Sequence, residues 1–149
     1  MILRRYLGII LIIPVCLFMP NLFRFARHFS TMASNASSYV PGTHSIAYVT
    51  VPNDEVAKKL ADGLVSKKLA ACVNVIPNIY SVYEWKNEIQ KDPELLLMIK
   101  TRSSRLEELT TYVRENHPYE VCEVISVPIQ QGNLPYLQWI GDIVPEKSS

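Results

Sequence analysis

The densest run of side chains able to do chemistry is His117-Pro118-Tyr119-Glu120-Val121-Cys122-Glu123. His117, Glu120, Cys122 and Glu123 offer nitrogen, oxygen and sulfur donors at close spacing, a mixture suited to copper or zinc. On a strand, Cys122 and Glu123 point to opposite faces, so only one of them can join His117 at a single site. The competing reading needs no metal. Cys122 is then a small buried hydrophobe, His117 a helix-terminal residue interacting with the dipole, and the glutamates are solvated. Signatures of catalysis do not accompany the run: the sequence has no G-x-S-x-G, no H-E-x-x-H, no P-loop and no paired C-x-x-C.

The elements that must position these residues are legible in the apolar pattern. Ile46 to Val51 is a short β-branched run closed by Pro52, as expected of a buried strand. Asn53 can cap a following helix, with Asp54 and Glu55 at its positive end and Val56, Ala57, Leu60, Ala61, Leu64 and Val65 in adjacent columns. A strand from Ala71 to Ile76, a break at Pro77, period-two alternation over Tyr83 to Lys86 and a turn at Asn87 predict a long hairpin returning through Ile89. Asp92-Pro93 predicts a break or bulge before the buried strand Leu95 to Ile99. Ser104 with Glu107 matches a capping box for a helix carrying Leu106, Leu109 and Val113 and stopped at His117-Pro118. Val121 to Val127 completes the strands. Asn133 then caps a terminal helix with Tyr136, Leu137 and Ile140 facing inward.

The order is β-α-β twice, then α, which makes the fold class α+β: a ferredoxin-like (β-α-β)×2 sandwich with a long hairpin and a C-terminal helix. Both helices pack on one sheet face, so something must cover the other: the terminal segment or other copies of the chain. The hairpin outruns five-residue strands. Its far end, with Tyr83 and Trp85, either projects to pair with a second chain in a cyclic homo-oligomer or packs back on its own domain. An acylphosphatase-like reaction is disfavoured, because the first strand-to-helix loop is Val-Pro-Asn-Asp-Glu, whose acids repel phosphate.

The 149 residues carry 15 Lys plus Arg against 14 Asp plus Glu, a formal charge of +1. The balance conceals two different stretches. Before Asp54 there are four arginines, Arg4, Arg5, Arg24 and Arg27, and no acid; from Asp54 onward the net charge is −3. With no basic stripe in the domain, nucleic acid is not a partner. The cysteines Cys16, Cys72 and Cys122 have no framework spacing, which excludes a disulfide scaffold. Residues 1–32 read as a hydrophobic leader: Tyr6 to Phe23 are uncharged and arginine-flanked, at the lower length limit for a bilayer span, with Pro14 and Pro20 shortening any helix. A secretory signal peptide or membrane anchor fits the stretch, a mitochondrial presequence is the alternative, and initiation at Met32 would give a cytosolic form. Residues 33–43 read as a flexible linker, and 44–149 as one folded domain.

Several separated motifs together resemble the CutA family, named for divalent cation tolerance in bacteria. They are Pro-Asn-Asp-Glu at 52–55, Lys-Leu-Ala-Ala-Cys-Val-Asn at 68–74, Tyr-Glu-Trp-Lys at 83–86, Met-Ile-Lys-Thr at 98–101, His-Pro-Tyr-Glu at 117–120 and Asn-Leu-Pro-Tyr-Leu-Gln-Trp at 133–139. The resemblance implies a non-enzymatic homotrimer, similar to PII-type signalling trimers, with Tyr83, Trp85 and Trp139 at the subunit interface. It also implies weak binding of Cu(II) or another divalent cation at His117 and Glu123. The cysteine that bacterial relatives add to that pair falls at Val49 here, so the thiolate is missing. The leader looks like that of the animal branch, which is associated with anchoring and processing of acetylcholinesterase at membranes. The alternative function is a PII-like trimeric sensor of a small ligand between subunits.

Overall fold

The computed structural model describes residues 38–147. The leader and the first part of the linker, residues 33–37, lie outside the described residues. From Tyr39 onward the chain forms one compact unit.

Strand β1 (His44–Val51) alternates as the sequence requires: Ala47, Val49 and Val51 are fully buried, while Ile46, Tyr48 and Thr50 lie on the opposite face. Helix α1 (Asp54–Ser66) starts at Asn53, whose side-chain oxygen accepts the Val56 N–H at 3.0 Å, and buries Ala57, Leu60 and Leu64. Strands β2 (Cys72–Trp85) and β3 (Glu88–Arg102) form the long hairpin. Lys86 and Asn87 turn the chain at φ 54° and 66°, the paired left-handed conformations of a type I′ turn. A 3₁₀ turn (Ser103–Arg105), helix α2 (Leu106–Asn116), the short strand β4 (Ile125–Pro128) and helix α3 (Leu134–Ile143) follow.

The sheet order is β2-β3-β1-β4 with every neighbouring pair antiparallel, the ferredoxin-like arrangement. One face carries Ala47, Val49, Val51, Leu95, Leu97 and Ile99 against Leu60, Leu64, Leu109 and Val113, which is the main core. Its removal from water supplies the dominant stabilisation of the protomer. A second cluster forms where Leu137, Ile140 and Val144 close over Ala71. That covers only one end of the other face, and the rest of it carries Ile46, Tyr48, Leu96, Met98, Ile125 and Val127, none of them fully buried.

Five local expectations are corrected. Pro77 does not end its strand: β2 continues, with one extra residue between Ile76 and Ile79 and Asn78 at φ 60°. A bulge on this edge strand accommodates the missing proline N–H. The Asp92-Pro93 break is absent, because Pro93 pairs with Tyr80 where β3 has only β2 beside it. Ser104 and Glu107 do not form a capping box, since the C-terminal segment takes both: Ser104 donates to Glu146 at 3.0 Å and Lys147 donates to Glu107 at 3.0 Å. The last strand begins at Ile125 rather than Val121, and Tyr136 is exposed rather than inward-facing.

Candidate functional site

The shortened last strand explains the position of His117. If β4 extended toward Val121, it would run beside β1 at Thr50. Instead the His117 ring occupies that place, with Nε2 2.9 Å from the Thr50 carbonyl oxygen and Nδ1 3.1 Å from the Tyr119 N–H. A nitrogen that accepts from a backbone N–H carries no proton, so Nε2 holds it and donates to Thr50. The imidazole is buried, packs edge-on against Tyr119 at 4.9 Å and ties the end of α2 to the end of β1. Both of its nitrogens are engaged.

Beyond this pin, residues 118–124 run irregularly over the root of the hairpin and wall a cleft of about 810 Å³. Alternation across the Lys86-Asn87 turn puts Ser81, Tyr83 and Trp85 of β2 on the same side as Asp92 and Glu94 of β3. All five line the cleft, and Thr50, Tyr119, Glu120 and Glu123 complete its walls. Glu94 is almost fully buried and accepts from Ser81 Oγ at 2.5 Å; Asp92 accepts from the Tyr83 hydroxyl at 2.5 Å. The bond to Asp92 holds the Tyr83 proton on and raises that phenol's pKa, while burial, then the Glu94 charge, raises that of Tyr119. Both phenols are therefore donors at neutral pH. The cleft is thus acidic, aromatic and rich in hydroxyl donors.

The residues proposed for a metal line different depressions. Glu123 lines the cleft, whereas His117 borders a separate depression with Glu55, Lys59 and Glu115. Val49 is fully buried in the helix-side core. Cys72 and Cys122 are free and half-buried. Among the described residues no group of three or more His, Cys, Asp or Glu side chains is placed to hold a metal ion.

The three aromatic interface candidates are exposed. Tyr83 and Trp85 sit on the hairpin arm, and Trp139 lies on α3, tilted against Tyr136 at 5.3 Å. Sequence reasoning missed Ser81, Asp92 and Glu94. Their signal was the S-x-Y-x-W alternation facing Q-x-D-x-E across the turn, which becomes visible once the hairpin register is set.

Fold and cleft define a class: a ferredoxin-like α+β protomer with an extended two-stranded arm and an acidic, aromatic cleft against it. A family model described as "CutA1 divalent ion tolerance protein" matches residues 45–143. The chain belongs to the CutA family. It is 63% identical over 142 residues to "Protein CutA homolog" of Xenopus laevis, covering 91% of this chain and 92% of that one. It is 54% identical over 119 residues to "Protein CutA" of Homo sapiens, covering 80% of this chain and 66% of that one. Among solved structures, CutA1 from Oryza sativa superposes with a TM-score of 0.69 at 52% identity, covering 72% of this chain and 97% of that one.

Proposed function

We propose that this chain acts as a non-enzymatic homotrimer of the divalent-cation-tolerance type, with the hairpin arm and the open sheet face as its subunit contacts. The observation that carries the reading is the arm. β1 pairs with β3 only as far as Leu95, so the hairpin from Ile79 to Glu94 stands as two strands alone. A two-stranded ribbon is marginal in water, and this one exposes Tyr80, Val82, Trp85 and Ile89. Continuous with it, the open face offers Tyr48, Met98, Ile125 and Val127. The arm tip and α3 lie at opposite ends of β3, about 45 Å apart at a strand's rise per residue. An interface that sets Trp85 against Trp139 therefore joins one end of a protomer to the other end of its neighbour, and such a contact repeated about a three-fold axis closes into a ring.

A divalent cation is the family's namesake cargo. A cation taken by His117 and Glu123 displaces at least one hydrogen bond of the imidazole, which accounts for weak binding. A PII-like small-ligand reading keeps its place beside this one because the cleft borders the arm that a neighbour would cover. The leader at 1–32, the linker at 33–43, secretory, mitochondrial or cytosolic placement, and assistance to acetylcholinesterase or another membrane protein rest on the leader sequence and the family resemblance. Among the described residues no helix is long and apolar enough to cross a membrane.

Trp85→Asp tests the assembly: the variant should sediment as monomer, and an unchanged mass would remove the arm from the interface. Calorimetric titration with Cu(II) tests the cation; identical isotherms for wild type and His117→Ala would exclude His117 as a ligand.

A further inference from the structure

His44, the first residue of β1, is outside the cleft and plays no part in the cation reading. It is 4% exposed, and neither Nδ1 nor Nε2 has a hydrogen-bond partner among the described protein groups. Each face of the environment is tight. The ring stacks on Tyr39 at 5.6 Å and 12°, and the Tyr39 hydroxyl accepts the His44 N–H while donating to the Ile129 carbonyl, both at 3.1 Å. On the α3 side sits Gly141, where an added Cβ would lie 3.3 Å from His44 Nε2 and 3.0 Å from Arg102 Nη2. The helix backbone therefore rests directly on the imidazole and the guanidinium.

The charged groups facing His44 are few. From β3 comes Arg102, its register partner. From the segment after α3 comes Glu146, and from the segment before β1 the neutral phenol of Tyr39. Glu146 is already paired with Arg102 at 2.6 Å, and Arg102 also donates to the Val144 and Gly141 carbonyls at 2.8 and 2.7 Å. An imidazolium here would find no free acceptor and would face a guanidinium across a dry contact. A neutral ring fits.

We propose that His44 is a proton sensor for α3: neutral, it lets Leu137, Ile140 and Val144 seat on the sheet, and protonated, it releases the helix and with it Trp139. Burial, then the Arg102 charge, lowers the His44 pKa from 6.5. The released ring takes up a proton more readily than the seated one, so the seat is at full strength above the released pKa and weakens as pH falls below it. Below about pH 6.5 the loss is roughly tenfold per pH unit until the seated pKa is reached.

The test is hydrogen–deuterium exchange of the full chain at pH 7.5 and 5.5, corrected for intrinsic rates, reading protection of α3 amides relative to α1 amides. Wild type should lose protection in that ratio on acidification, by at most about tenfold. His44→Phe, which keeps the stack but cannot protonate, should lose none. An unchanged ratio in wild type, or the same loss in His44→Phe, overturns the proposal. Should His44→Phe misfold, an NMR titration of His44 in wild type decides alone: a pKa below 6.5 is required, and one at or above it refutes the sensor.

Discussion

Removing the His117 side chain should destabilise the protomer and loosen one wall of the cleft together. In His117→Ala the Thr50 carbonyl and the Tyr119 N–H lose their partners, at 2.9 and 3.1 Å, in a spot that is 8% exposed. Each lost hydrogen bond is worth about 1 kcal/mol net, rising toward 3 where the remaining group stays dry. With the cavity left by the ring, the total is about 2–4 kcal/mol. His117→Phe fills the cavity but makes neither bond, so it should cost less than alanine by the packing share alone. The assay is urea unfolding at one fixed protein concentration, because an assembling chain has concentration-dependent stability. Exchange of the Tyr119 amide, read in parallel, should accelerate in both variants while core amides of β1 change less. A loss below about 0.5 kcal/mol, the range of ordinary surface substitutions, or an unaltered Tyr119 amide would refute the pin.

The helix pair and the hairpin turn make further predictions. Gly63 of α1 lies under Tyr112 of α2, where a Cβ would come within 1.8 Å of the phenolic oxygen. Gly63→Ala should therefore cost about 1–2 kcal/mol by denaturant unfolding despite alanine's better helix propensity, and Tyr112→Phe in the same chain should recover part of the loss. Lys86 holds φ 54° without the side chain that favours it. Lys86→Asn should stabilise the arm by about 0.5 kcal/mol, visible as slower exchange of amides from Glu84 to Ile89; faster exchange would contradict the type I′ assignment.

Two local signals in the chain decide their contacts as expected. Asn53 caps α1 as its type and position require, and Asn87 sits in the turn. Two of the misreadings have long-range causes. Ser104 and Glu107 have the spacing of a capping box, but Glu146 and Lys147 arrive from 40 residues away or more and take them. Val121 to Val124 have strand composition, yet the β1 carbonyl beside which they would run belongs to a histidine side chain. Of the candidate site, the histidine and the aromatic arm were visible because their types are conspicuous. Asp92 and Glu94 were not, because an acid in an exposed hairpin looks solvated until the register places it opposite Ser81 and under Tyr119. The open face was anticipated as a problem before its residues could be named, since helices on one side of a sheet leave the other bare.

The account stands on self-association through the arm and that face. Sedimentation equilibrium of residues 39–149 at micromolar concentration tests it directly. A single species of three times the chain mass, unchanged over a tenfold dilution, is the expected result; a monomer would contradict it.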